Sequence, residues 1–176
     1  MSGHAENCLL QGIYGRRSIR KFEEGGVSRE QVREILKAGL AAPTGKGMNP
    51  VRFLVLEADD PRREFFVAGC HHSKPYVRSA PYFIALYLDL DHIYHVMKNH
   101  QGVGACIENM LLAARALGLG TVWIGEITGT ARDITVHLGL DPDKYELQAG
   151  ICLGVPAQKP TPKKDAPLET FLLEEF

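Results

Sequence analysis

The sequence predicts an α+β protein in which helices cover a central sheet, and three observations carry that expectation. Residues 81–89, PYFIALYLD, form a nearly continuous apolar run of strand length, as a strand covered on both faces requires. Residues 101–117, QGVGACIENMLLAARAL, carry apolar groups on almost all sides, which places a helix there deep in a core. Helical and strand patterns then follow one another without strict β-α-β alternation. That favours a layered α+β sheet over a doubly wound parallel one.

Each element has its own local cause. Residues 5–14 can form a short helix, with Leu9, Leu10 and Ile13 on one face. Ser28 followed by Gln31 makes a capping box, and Val32, Ile35, Leu36 and Leu40 give the apolar stripe of a helix that Pro43 stops. TGKGMNP is a glycine-rich loop, and VRFLVLE after it reads as a strand. Asp60 and Pro61 have the chemistry of an N-cap and a first helical residue, for a helix running to about Ala68. Gly118 and Gly120 end the long apolar helix, and TVWIGEI reads as the next strand. Thr130 with Asp133 opens a short helix to His137, and YELQAGICLGV is the last strand. Prolines at 156, 160, 162 and 167 keep the tail extended. The 176 residues contain no repeat or linker, so one domain is expected, with an extended tail from about residue 156.

Composition narrows the function. A formal net charge of -1 argues against general nucleic-acid binding. No apolar run approaches the ~18 residues of a membrane span, and the first residues lack a secretory signal pattern. Cys8, Cys70, Cys106 and Cys152 lie far apart with no C-x-x-C, and read as reduced, mostly buried thiols of a cytoplasmic protein.

Most familiar chemistries find no support. GVGACI lacks the third glycine of a dinucleotide fingerprint and follows the polar MKNHQ instead of a strand. His92, His95 and His100 lie beside Asp89 and Asp91 without a metal-ligand pattern, and surface histidines are the favoured reading. His71 and His72 could edge a pocket, but nothing pairs them with a nucleophile. There is no G-x-S-x-G, nor a cysteine beside a base at a helix N-terminus.

What remains is GRRSIRKFEEGG, which gathers Arg16, Arg17, Arg20 and Lys21 around Ser18. Converging guanidinium groups with a hydroxyl match the geometry of a phosphate. In an extended segment Arg16, Ser18 and Arg20 project to one side, and Arg17 and Ile19 to the other. Alone, such a run is better read as a solvated basic turn. Three further segments favour a flat anionic ligand. The glycines of APTGKGMNP let backbone approach closely, ALGLGTVWIGEI ends at a Gly-Glu pair, and KPTPKK sends two more lysines along a stiff tail.

RRSIRKF, APTGKGMNPVRF, ARALGLGTVWIG and GVPAQKPTPKK, in this order, resemble the FMN-dependent nitroreductase family over essentially the whole chain. The resemblance implies a three-layer α-β-α fold with a mainly antiparallel central sheet. It implies a homodimer with FMN at the subunit interface, and transfer of electrons from NAD(P)H to a quinone, nitroaromatic or similar acceptor by a ping-pong mechanism. No catalytic side chain is implied, because flavin carries the chemistry. By the same resemblance Arg16, Ser18 and Arg20, with Arg17 beside them, contact the phosphate, ribityl or pyrimidine side of FMN. Pro43, Thr44 and Gly45 come from the partner chain to the isoalloxazine ring. The Gly125–Glu126 backbone faces flavin N5 and O4, and Lys163 or Lys164 finishes the phosphate clamp. Three positions depart from the family pattern: Gly47 replaces an Asn, Asn49, itself a candidate cofactor contact, replaces a Gln, and Val51 replaces a Trp. They bear on substrate choice. Two other classes stay open at this point, a flavin-binding or redox-responsive module without turnover and a small metal protein using the 92–100 region.

Overall fold

The computed structural model describes residues 7–162 and 166–174. Its centre is a sheet of four strands, β1 (Val51–Glu57), β2 (Tyr82–Asp89), β3 (Gly120–Ile124) and β4 (Tyr145–Gly154), in the order β1-β2-β4-β3 with every pair antiparallel. β1 and β3 are therefore the two edges. β2 is buried at every position, as its unbroken apolar run requires. Its alternation sends Tyr82, Ile84, Leu86 and Leu88 to one face and Phe83, Ala85 and Tyr87 to the other.

Helices cover both faces. On the first, α2 (Arg29–Leu40) and α5 (Val96–Ala116) bring Val32, Ile35, Val103, Ile107 and Met110 onto the sheet. On the second, α3 (Arg63–Gly69), α4 (Lys74–Ser79) and α6 (Ala131–His137) contribute Phe66, Val77 and Ile134, with the Phe66 ring 4.8 Å from that of Phe83. The result is the expected three-layer α-β-α arrangement around an antiparallel sheet. α1 (Cys8–Gly15), capped by Asn7 Oδ1 on the Leu9 and Leu10 N–H groups, buries none of its residues.

One irregularity sets the facing of β4. Leu86 pairs with Ala149, but Tyr87 pairs with Leu147, so Gln148 is an extra residue in the ladder. The bulge changes the parity of the strand. Ala149, Ile151 and Leu153 face α2 and α5, whereas Leu147 lies in the opposite layer. Without it Leu147 would share the facing of Ala149.

The elements depart from the sequence expectation at several ends. α3 begins at Arg63, not Pro61, because the Asp60 carboxylate accepts from the Arg62 N–H at 2.9 Å and holds the first residues in a turn. α5 starts five residues earlier than 101, in a polar stretch without apolar periodicity. It is buried along Val103, Cys106, Ile107, Met110, Leu111 and Ala114, and not all round. TVWIGEI is strand only to Ile124, after which residues 126–130 tighten into 3₁₀ turns. α4 was not foreseen. It is short, with Val77 as its buried residue, and the buried Arg63 guanidinium ties its carbonyls to α3 by donating to Val77 O and Ala80 O. The tail is not wholly extended, since Leu168–Phe171 forms a 3₁₀ turn.

Gly150 is a packing requirement: a Cβ there would lie 2.3 Å from Phe83 Cζ. Gly104, within α5, has nothing within 4 Å of its Cβ position. Gly150→Ala is expected to destabilise by about 1–3 kcal/mol through overpacking. Gly104→Ala should stabilise by about 0.5–1 kcal/mol through helix propensity. Urea unfolding midpoints of the two variants should therefore move in opposite directions.

Candidate functional site

The basic segment lies along edge strand β3. Ser18 forms a single parallel bridge with Thr121, and the Ile19 N–H donates to Thr121 O at 2.8 Å. Ile19 is buried, in space that Gly120 leaves open. Beyond it, Phe22 bridges Pro156, and the Ala157 N–H donates to Lys21 O at 2.9 Å, so the start of the tail runs alongside.

The cations divide into two groups. Arg16 places Nε 3.2 Å from Glu108 Oε1. Arg17 turns its Nη1 back onto the carbonyls of Tyr14 (2.6 Å) and Arg16 (2.7 Å), where the end of α1 leaves acceptors without donors. That brings Arg17 beside Arg16, contrary to simple alternation. Both line a cavity of about 140 Å³ with Arg115, Thr121, Pro156 and Pro160. Arg20 instead lies 5.9 Å over the Tyr76 ring, in a separate cleft of about 610 Å³ shared with Lys21, Ser79, Gln158 and Thr161. Its backbone N–H donates to Gln158 Oε1 at 3.2 Å. Lys163 and Lys164 lie outside the described residues.

The second expected segment, residues 43–49, leads into β1 at the opposite edge of the sheet. Lys46, Gly47 and Asn49 adopt left-handed φ values of 55°, 68° and 44°, unusual for two residues that are not glycine. The turn is held by the Gly47 N–H on Thr44 O at 3.1 Å and the Asn49 N–H on Thr44 Oγ1 at 3.3 Å. At Gly45, an added Cβ would lie 2.0 Å from Tyr94 Cε1, so this glycine makes room for a ring of its own chain. Pro43 O rests near Gly102 of α5. Within one protomer this loop and the basic segment stand at opposite edges.

The third segment follows β3. A Cβ at Gly125 would meet nothing within 4 Å, so the surface over it is open. The Glu126 side chain points into its own protein. Its carboxylate accepts from the backbone N–H groups of His71, His72 (2.6 Å) and Ser73 (3.0 Å) and from Ser73 Oγ at 2.6 Å. Desolvation alone would raise its pKa, but the bonds from Ser73 and the three N–H groups outweigh it and hold the value at about 2. His71 and His72 are exposed at this junction. Among the described residues, His92 Nδ1 is 2.9 Å from Asp89 Oδ2, and His100 Nε2 is 3.2 Å from Glu146 Oε2. Cys70, Cys106 and Cys152 are buried, and desolvation pushes the first two thiols up to about 11.

Sequence reasoning missed Arg115, Tyr76 and Gln158, which the fold brings to the cations, and the use of the Glu126 carboxylate. The one available signal was Arg115 itself, the single charge in the apolar run MLLAARAL that ends the helix.

The three-layer α-β-α fold puts a cationic segment and an open glycine on one edge strand, a candidate site for an anionic ligand, and known proteins place the fold. The profile of the nitroreductase family matches residues 13–68 and 67–155. The chain is 30% identical to the NADPH-flavin oxidoreductase of Vibrio harveyi, over 96% of this chain and 74% of that protein. The crystal structure of a putative nitroreductase in complex with FMN from Desulfovibrio desulfuricans superposes with a TM-score of 0.93 at 45% identity, covering 97% of this chain and 98% of the other. The NADPH:FMN oxidoreductase from Vibrio harveyi, complexed with NAD+, gives 0.84 at 28% identity, over 97% and 78%. The chain belongs to the nitroreductase family.

Glu126 supplies a pH test. Its carboxyl has an ordinary value of 4.5 and is held at about 2 in the folded chain, so its contribution is present above pH 4.5 and is lost as pH falls toward 2. Glu126→Gln should lower the urea midpoint at pH 7 and flatten its fall between those values.

Proposed function

We propose that this protein is a cytoplasmic homodimer that takes electrons from NAD(P)H and passes them to a quinone, nitroaromatic or similar small acceptor by a ping-pong mechanism. It is an FMN-dependent NAD(P)H oxidoreductase of the nitroreductase type. Bound FMN supplies the hydride chemistry, so the protein need only bind, orient and shield it.

The observation that carries the reading is the sharing of one edge strand by the cations and the open glycine. Ser18 pairs with Thr121, and Gly125 follows four residues along, a rise of roughly 13 Å in extended chain. A flavin ring, ribityl chain and phosphate can bridge such a span. The residues present fit FMN: guanidinium groups at one end suit a phosphate, and the surface over Gly125 leaves room for a ring. Arg16, Arg17 and Ser18 would take the phosphate end, with Lys163 or Lys164. Arg20 would take the ribityl or pyrimidine side, and the Gly125–Glu126 backbone the N5 and O4 edge. The four bonds on the Glu126 carboxylate hold that backbone against residues 71–73, so its orientation is set before any ligand arrives.

The homodimer is supported by the sheet order. Pro43, Thr44, Gly45 and Asn49 lead into β1, at the other edge of the sheet from the cations on β3, an arrangement in which a second chain would bring its own copy of this loop to the flavin. Exposed apolar side chains are available for such contact: Leu9, Ile13 and Tyr14 on α1, Trp123 on β3, and Leu168, Phe171 and Leu173 in the tail. No helix among the described residues is long and apolar enough to cross a membrane.

Anaerobic NAD(P)H should bleach the flavin band of the purified protein by two electrons, and menadione should restore it. Initial rates with varied donor at several fixed acceptor concentrations should give parallel double-reciprocal lines; intersecting lines would exclude the ping-pong order. Arg20→Ala removes a charge-assisted hydrogen bond worth about 1.5–3 kcal/mol and should weaken flavin binding about tenfold or more. Because Arg20 lies apart from Arg16 and Arg17, the loss should be similar for FMN and riboflavin. Sedimentation at falling concentration should show a tighter dimer with FMN than without, since a ligand held by two chains stabilises their association.

A further inference from the structure

We infer that Arg115, in the last turn of α5, is a third arginine of the clamp that holds the flavin's phosphate beside Arg16 and Arg17. The inference rests on the reading that the phosphate lies at the RRSIR segment, and extends it to a residue far away in sequence.

Arg115 lines the same cavity of about 140 Å³ as Arg16 and Arg17. Its guanidinium lies against the end of α1 because Gly15 leaves the space: a Cβ on Gly15 would sit 2.1 Å from Arg115 Nη2. Any other residue at position 15 would move that guanidinium.

The charges around the cavity do not balance within the protein. Arg16 has one carboxylate partner, Glu108, and Arg17 uses Nη1 on two neutral carbonyls. The Arg115 guanidinium makes no ion pair or hydrogen bond among the described residues, and the carbonyl of this residue accepts from the Gly118 N–H at 3.0 Å. Three like charges gathered around one small space repel one another, and a bound anion removes that cost.

The number of cations has a reason. α5 ends at Ala116, and Gly118 and Leu119 behind it line the cavity. The carbonyl end of a helix carries partial negative charge and disfavours an anion, so one arginine would be partly spent in offsetting it. Arg115 could also serve only to complement that helix end. In that case its removal would change stability without distinguishing a phosphorylated flavin from an unphosphorylated one.

The test is fluorescence titration of the full-length protein, freed of flavin, with FMN and with riboflavin, which differ in the phosphate. Arg115→Gln should weaken FMN binding at least about tenfold and leave riboflavin unchanged. Arg115→Lys should recover part of the loss, because the charge returns without the guanidinium fork. Gly15→Ala should weaken FMN in the same direction, with riboflavin again unchanged. Inorganic phosphate should compete with FMN in the wild type and less well in Arg115→Gln, which separates a general anion site from recognition of the whole flavin. Unchanged FMN affinity in Arg115→Gln would overturn the inference, and so would equal losses for both flavins. A wild-type protein that binds FMN no better than riboflavin would instead overturn the placement of the phosphate itself.

Discussion

The structure depends on a strand that cannot meet water on either side. β2 is buried at all eight positions from Tyr82 to Asp89. Apolar burial contributes about 25 cal/mol per Å² removed from water, and a strand of this kind realises it only when both faces are covered. One layer of helices would leave Phe83, Ala85 and Tyr87, or Ile84, Leu86 and Leu88, exposed. The three layers follow, as does the position of β4 beside β2. The bulge at Gln148 then lets one strand serve both cores, with Leu147 on one side and Ala149, Ile151 and Leu153 on the other.

This central burial sends the binding groups to the margins. Functional residues in the interior would have to give up hydration or displace core side chains, whereas an edge strand offers unpaired backbone and open surface. β3 uses its free edge in two ways: Thr121 binds the Ser18–Ile19 segment, and the chain beyond Ile124 turns away at Gly125 to leave space above it. β1, at the other edge, receives the turn of residues 43–49. The two groups of proposed contacts, each at its own edge, suit the proposed two-fold assembly.

Around the site, charge is handled by two different means. The Glu126 carboxylate is satisfied internally by three N–H groups and a hydroxyl, and so serves to fix backbone. The arginines near Arg16 are under-compensated, which leaves them available to an anion. Asp89, by contrast, is buried beside Arg52 at 2.8 Å and His92 at 2.9 Å. Burial would raise its pKa, but its bond to His92 and the neighbouring cations keep the carboxyl below its usual range. That network braces the end of β2 beside the turn of residues 43–49, since Arg52 Nη1 also donates to Asn49 O at 3.1 Å.

Much of the fold was legible in the sequence because its causes are local. The capping box at Ser28 and Gln31 forms as expected, with both reciprocal bonds present. VRFLVLE is a strand to the residue, and the run at 81–89 is the doubly buried strand its composition demands. Ends defined by a single side chain were harder to read. Asp60 stands three residues ahead of α3 and bonds the N–H of its N-cap residue Arg62, and the first turns of α5 carry no apolar period. RRSIR and the Gly-Glu pair could be picked out as binding chemistry. The grouping of Arg17 with Arg16, and of Arg20 with Tyr76, depends on where α1 ends and on how the tail runs beside β3. The residues around Arg16 come from the segment after α1, from α5, from β3 and from the tail, and such convergence is a property of packing. Sequence by itself determined all four strands and the main helices, though not the short α4, and which segments could bind an anion, because spacing and residue chemistry act over a few positions. Tertiary structure decided which of those groups meet, because that depends on sheet order, on register and on the room left by glycines such as Gly15.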